Sequence, residues 1–127
     1  MNIILSGNVL WSFDFEVENR NRNEDYAFHF SGIKPFHCHN GEIFLMNDAI
    51  KVVDDHHPLT IPLSEITELF LGYDDIYSPS LGKNFGMFWQ PLRITVNDEK
   101  RIYLIVNYDY LGTKNKIWFN TLTEMFS

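Results

Sequence analysis

Near the end of this chain the spacing of the apolar residues changes. Between Thr113 and Phe126 the residues Ile117, Trp118, Leu122, Met125 and Phe126 fall at helical intervals, with Asn120, Thr121, Thr123 and Glu124 among them. Everything before that stretch reads as short strands. A helix with one apolar face must bury that face, and in a chain otherwise made of strands it must lie against the sheet. The spacing therefore predicts a mainly β fold closed by one C-terminal helix over residues 113–126.

The strand signals come in order along the chain. Val9, Trp11, Phe13, Phe15 and Val17 alternate with Ser12, Asp14, Glu16 and Glu18, the cleanest period-two run in the sequence. Residues 19–25 are polar and read as a loop, after which Tyr26, Phe28 and Phe30 resume the alternation and predict a hairpin with the first strand. Strands are expected over 42–46 and 49–53, joined by Asn47 and Asp48, residue types that tolerate positive φ. A short strand over 59–62 is edge-like because Pro62 has no donor. Further strands are expected over 66–73, 92–96 and 101–107, the last two forming a hairpin across Asn97, Asp98 and Glu99. Residues 74–90, punctuated by Pro79, Gly82 and Gly86, are the longest irregular stretch. About seven strands at this spacing suit a sandwich or a barrel. With no repeat and no linker, residues 1–127 read as one domain.

Composition narrows the partners. Eleven Phe, six Tyr and three Trp among 127 residues favour a β fold with a well-filled interior. The formal net charge of −7 repels phosphate backbones and anionic head groups, so nucleic acid is not an expected partner. Cys38 is the only cysteine, so no internal disulfide is needed. The apolar run Ile3–Leu5 is too short for a signal peptide or a membrane span. The expected compartment is the cytoplasm.

Gly41 to Leu71 carries a family resemblance. There Glu42-Ile43-Phe44-Leu45 and Ile50-Lys51-Val52-Val53 precede Ile61-Pro62-Leu63-Ser64-Glu65-Ile66. Together with Pro91-Leu92-Arg93-Ile94 and Trp118 in the last helix, this order resembles the pleckstrin-homology-like superfamily in its bacterial, GRAM-like form. The resemblance implies a strongly bent, seven-stranded antiparallel β-barrel whose open end is covered by the C-terminal helix, with Trp118 as the core anchor. Family members that bind phosphoinositides use a basic cluster in the first inter-strand loop. Here that loop offers Arg20 and Arg22 among Glu18, Glu24 and Asp25, so phosphoinositide binding is not expected.

Three groups of residues are candidates for chemistry. His37, Cys38 and His39 lie close to Pro35, and Asp54, Asp55, His56 and His57 follow in a turn; brought together, His37, His39, His56 and His57 would suit zinc or a similar ion. No spacing of a known zinc motif is present, and the competing reading of both groups is a solvated turn and a strand end. Cys38 cannot meet either neighbouring histidine within a strand, because neighbours point to opposite faces. Asp74 with Asp75, and the glycines 82 and 86, define neither a carboxylate pair with set geometry nor a phosphate loop. Tyr77, Phe85, Met87, Phe88 and Trp89 give the long irregular stretch an aromatic, adaptable character. They are expected either to contact a partner or to bury themselves as the next strand begins.

The expected function is a non-enzymatic binding module, with no catalytic residue and no cofactor. It engages a protein or peptide, or a second copy of itself, through the aromatic stretch or an exposed strand edge. The alternatives are a metal binder or metal-dependent enzyme built on the four histidines, and a barrel holding a small apolar ligand.

Overall fold

The computed structural model describes residues 3–19, 35, 37–54, 56–79, 89–109 and 112–127. The elements are β1 (Ile3–Phe13), α1 (Asp14–Glu18), β2 (His39–Met46), β3 (Ala49–Val53), β4 (Leu59–Pro62), a 3-10 turn (Leu63–Glu65), β5 (Ile66–Leu71), β6 (Leu92–Val96), β7 (Lys100–Val106) and α2 (Asn115–Phe126). All seven strands form one antiparallel sheet in the order β4-β3-β2-β1-β7-β6-β5. The expected mainly β fold with one C-terminal helix is the fold the chain adopts.

The connection between β4 and β5 forces the sheet to curl. These strands occupy opposite ends of the order, and a flat seven-stranded sheet would hold them about 29 Å apart. Only the three residues Leu63–Glu65 join them, and three residues reach roughly 10 Å. The two ends must approach each other, which rolls the sheet into a half-barrel.

The concave face holds the main core. Trp11 from β1, Ile43 and Leu45 from β2, Ile50 from β3, Leu92 and Ile94 from β6, and Ile102 and Leu104 from β7 are all fully buried there. Trp118 and Leu122 enter the same cluster from α2, with Trp118 only 1% exposed. The expectation for Trp118 holds. Asn115 fixes the start of α2: its Oδ1 accepts the Val106 N–H at 2.8 Å, and its Nδ2 donates to the carbonyls of Gln90 (2.8 Å) and Leu104 (3.0 Å). A buried amide with every contact answered welds the helix to β7.

The convex face carries a second core. Leu10, Tyr103 and Ile105 point outward from β1 and β7, and Val17, Tyr77 and Trp89 cover them. β7 is consequently buried on both faces. Val17 marks one correction to the sequence reading. The alternation over 9–17 predicts a single strand, but β1 ends at Phe13 and residues 14–18 turn into α1. Asp14 Oδ1 accepts the Phe15 N–H, and Glu16 Oε1 reaches back to the Phe13 N–H at 2.8 Å. Acidic side chains in a first turn satisfy the donors a helix leaves open, so Asp14 and Glu16 serve a turn of helix as well as they would a strand. The strand expected over 26–31 lies outside the described residues.

Two details of α2 also differ from expectation. Ile117 and Phe126, placed on the apolar face by spacing, are each 47% exposed. The inward face consists of Asn115, Trp118 and Leu122, with Phe119 and Met125 packed partly against the core.

Candidate functional site

β5 ends the sheet. Its inner side pairs with β6, and among the described residues no strand pairs with its outer side. Such an edge presents backbone donors and acceptors in a row. α2 lies along the same edge. Between them runs a groove of about 580 Å³ lined by Ile66, Thr67, Glu68 and Leu69 on one side and Phe119, Thr123, Phe126 and Ser127 on the other. The helical residues recur at intervals of four and three, so they share one face of α2. The register between β5 and β6 slips between Ile66 and Glu68, and the Thr67 hydroxyl donates to the Thr95 carbonyl at 3.3 Å while accepting the Asp98 N–H at 2.9 Å. This bulge turns the strand where the groove begins. The sequence reading named a strand edge in general terms but none of these residues; the signal available was Phe119, Thr123 and Phe126 on one helical stripe opposite a strand.

A polar network stiffens β5 from behind. Arg93, 9% exposed, donates to Glu68 Oε1 at 2.7 Å and to Asp74 Oδ2 at 2.9 Å, and its guanidinium lies 4.6 Å from the centre of the Phe70 ring. Tyr103 Oη donates to Asp74 Oδ2 at 2.8 Å, and Asp74 Oδ1 accepts the N–H groups of Ile76 and Tyr77. Burial pushes the Asp74 carboxyl up, but hydrogen bonds from Tyr77, Arg93, Tyr103 and Ile76 outweigh it and hold the group below its ordinary value. Tyr103 is raised, first by burial and then by Asp74.

This network corrects the aromatic-surface expectation. Tyr77 has no exposed area and Trp89 is 8% exposed, so both belong to the convex-face core and not to a contact surface. The Asp74 turn explains why: it fixes the backbone of Ile76 and Tyr77 and drops the Tyr77 ring 5.4 Å from Tyr103. Phe85, Met87 and Phe88 lie outside the described residues, as do Arg20, Arg22 and Asp55.

Two of the four candidate histidines meet. The rings of His39 and His57 are 4.6 Å apart, and both line a cavity of about 590 Å³ with Cys38, Glu42, Asp54 and His56. His39 stacks on Trp11 at 4.3 Å, and its Nε2–H donates to Glu16 Oε2 at 2.7 Å. That bond ties α1 to the first residue of β2. Asp54 Oδ1 is occupied by the N–H groups of His56 and His57. His37 instead donates from Nδ1 to the Pro35 carbonyl at 2.8 Å. Among the described residues no three His, Cys, Asp or Glu side chains are placed to share a metal ion. The Cys38 thiol is pushed up by burial, opposed by a hydrogen bond with Ser12 and reinforced by Glu16.

No helix among the described residues is long and apolar enough to cross a membrane. No family model matches the chain, and no curated protein matches it. Among solved structures it is similar to the C-terminal domain of an unknown protein from Leishmania infantum, with a TM-score of 0.55 and 10% identity over 99% of this chain and 85% of that one. At that identity the likeness describes the fold alone.

Proposed function

We propose that the chain is a pleckstrin-homology-like barrel acting in the cytoplasm as a non-enzymatic module that binds an extended segment of a protein partner along β5. The observation that carries this reading is the coincidence of an apolar-walled groove with a strand edge to which no described strand pairs. The edge supplies backbone hydrogen bonds and the groove supplies side-chain selection, the two requirements of strand addition. Ile66, Leu69, Phe119 and Phe126 offer apolar contacts to alternate side chains of an added strand. The strand order and the inward Trp118 support the superfamily resemblance. The net charge of −7 argues against anionic lipid and nucleic acid as ligands.

Selection of displayed linear peptides on the immobilised chain, followed by amide chemical-shift mapping, tests the proposal. Selected peptides are expected to shift the amides of 66–71 and 119–126. Thr123→Arg, which fills the groove from an exposed helical position, is expected to abolish binding with an unchanged melting temperature. Peptides that shift only residues elsewhere, or that bind Thr123→Arg as well as wild type, would overturn it.

A further inference from the structure

We infer that the segment accepted along β5 is basic as well as apolar; the inference rests on the reading of β5 as a docking edge. Among the described residues the groove lining contains one ionisable side chain, Glu68, and no lysine or arginine. Glu68 uses Oε1 for Arg93 and for Thr95, and half of its side chain (52%) remains exposed. Glu65, immediately before β5, is exposed as well.

The helix contributes independently. The groove opens onto the C-terminal turn of α2, where the last carbonyls have no intrahelical donor and carry the negative end of the helix dipole. Helices commonly answer that end with a basic residue in the last turn; α2 has none there and carries the exposed Glu124 instead. Ser127 satisfies only the Glu124 carbonyl, through its N–H at 3.2 Å and its hydroxyl at 2.8 Å. Among the described residues basic groups lie near but outside the lining: Lys100 shares a neighbouring cavity with Glu65, and Arg101 stands opposite Thr95 on β7. Arg93 lies buried behind the sheet and is bound to both Glu68 and Asp74, and Lys116 sits in the first turn, at the other end of α2.

The position of the charge follows. Apolar side chains of the added strand face Ile66, Leu69, Phe119 and Phe126. A lysine or arginine at the end that lies over Phe126 and Ser127 meets the helix carbonyls, in a groove that Glu68 also lines. An acidic or phosphorylated segment meets the same groups as repulsion, so the groove discriminates by sign as well as by shape.

The test uses two fluorescein-labelled dodecapeptides of alternating threonine and leucine, one ending in two lysines and the other in two glutamates. Anisotropy titrations are run on the full chain in about 50 mM and about 500 mM salt. The lysine peptide is expected to bind about tenfold tighter at low salt, with the gap narrowing at high salt. Glu124→Lys is expected to weaken the lysine peptide and strengthen the glutamate peptide without lowering the melting temperature. Equal affinities, with both peptides shifting the amides of β5, would overturn the basic preference and leave the docking edge standing. If neither peptide binds and no β5 amide moves, the docking edge falls and the preference with it.

Discussion

The two faces of β7 belong to two different cores. On the concave side Ile102, Leu104 and Val106 join a cluster built almost wholly from strand residues and closed by Trp118 and Leu122. On the convex side Tyr103 and Ile105 are covered by α1 and by residues from the β5–β6 connection. The first cluster consists of aliphatic and indole groups held by shape. The second is aromatic and leans on a carboxylate, since Asp74 fixes both the Tyr77 backbone and the Tyr103 hydroxyl. The concave face thus rests on apolar burial pinned by the neutral Asn115 amide, and the convex face on burial plus a charged carboxylate.

The largest test of that contrast is Trp118→Ala. Removing a fully buried indole from the concave core is expected to cost about 3–5 kcal/mol and to lower the stability of the whole sheet, as read from a chemical-denaturation midpoint. A midpoint near wild type would mean that the helix is dispensable to the barrel. Tyr77→Ala removes an equally buried ring from the other face. Its expected cost is about 2–3 kcal/mol, and it is expected to speed hydrogen exchange at 73–77 far more than in β2 and β3. Uniform acceleration throughout the sheet would show that the two cores are one cooperative unit.

Asp74→Asn isolates the charge. The substitution keeps an acceptor but discharges the partner of Arg93, so the expected loss at neutral pH is about 2 kcal/mol. The folded carboxyl lies below its unfolded value of about 3.9. Its contribution is therefore present above that unfolded value and disappears as pH falls through the lower folded one. In wild type the amides of Ile76 and Tyr77 are expected to lose protection on acidification below about pH 4, whereas Asp74→Asn is expected to be insensitive to pH across that window. An identical acid response in both proteins would assign the transition to another carboxylate.

The same two faces mark where the sequence was readable. Strict alternation, helical spacing and turn residues encode which side of a strand faces a core, so β2, β3, β6 and α2 and the burial of Trp118 follow from pattern. The convex core leaves a fainter trace. The unbroken apolar run Ile102–Val106 is the mark of a strand covered on both sides, but nothing local says what covers it. Tyr77 and Trp89 look like wet aromatics in a loop until Asp74, Arg93 and Tyr103 are seen together, and those three come from distant positions. The groove beside β5 was invisible for a related reason. An edge becomes an edge only through sheet order, and that order was settled by the short β4–β5 connection.

The smallest expected effect separates two hairpins with the same dipeptide. Asn47-Asp48 joins β2 to β3 and Asn97-Asp98 joins β6 to β7, and the sequence reading marks only the first pair as residues that tolerate positive φ. The structure reverses that: Asn97 (φ 54°) and Asp98 (φ 57°) are left-handed, with the Glu99 N–H donating to the Val96 carbonyl at 3.1 Å, while Asn47 and Asp48 keep negative φ. Pairing explains the difference. β6 and β7 close at Val96 opposite Lys100, a tight reversal that matches strand twist only through positive φ. β2 and β3 close further back, at Leu45 opposite Ile50, and the Asp48 carbonyl is held at 2.9 Å by the Leu63 N–H, the contact that also starts the turn into β5. Glycine relieves strain at positive φ and only adds unfolded-state freedom elsewhere. Asp98→Gly is thus expected to raise stability by about 0.5 kcal/mol and Asp48→Gly to lower it by a similar amount, read as opposite shifts of the urea midpoint at constant m value. Shifts of the same sign would mean that the turn dipeptides are interchangeable and that closure of the half-barrel does not depend on how the Asp48 turn is held.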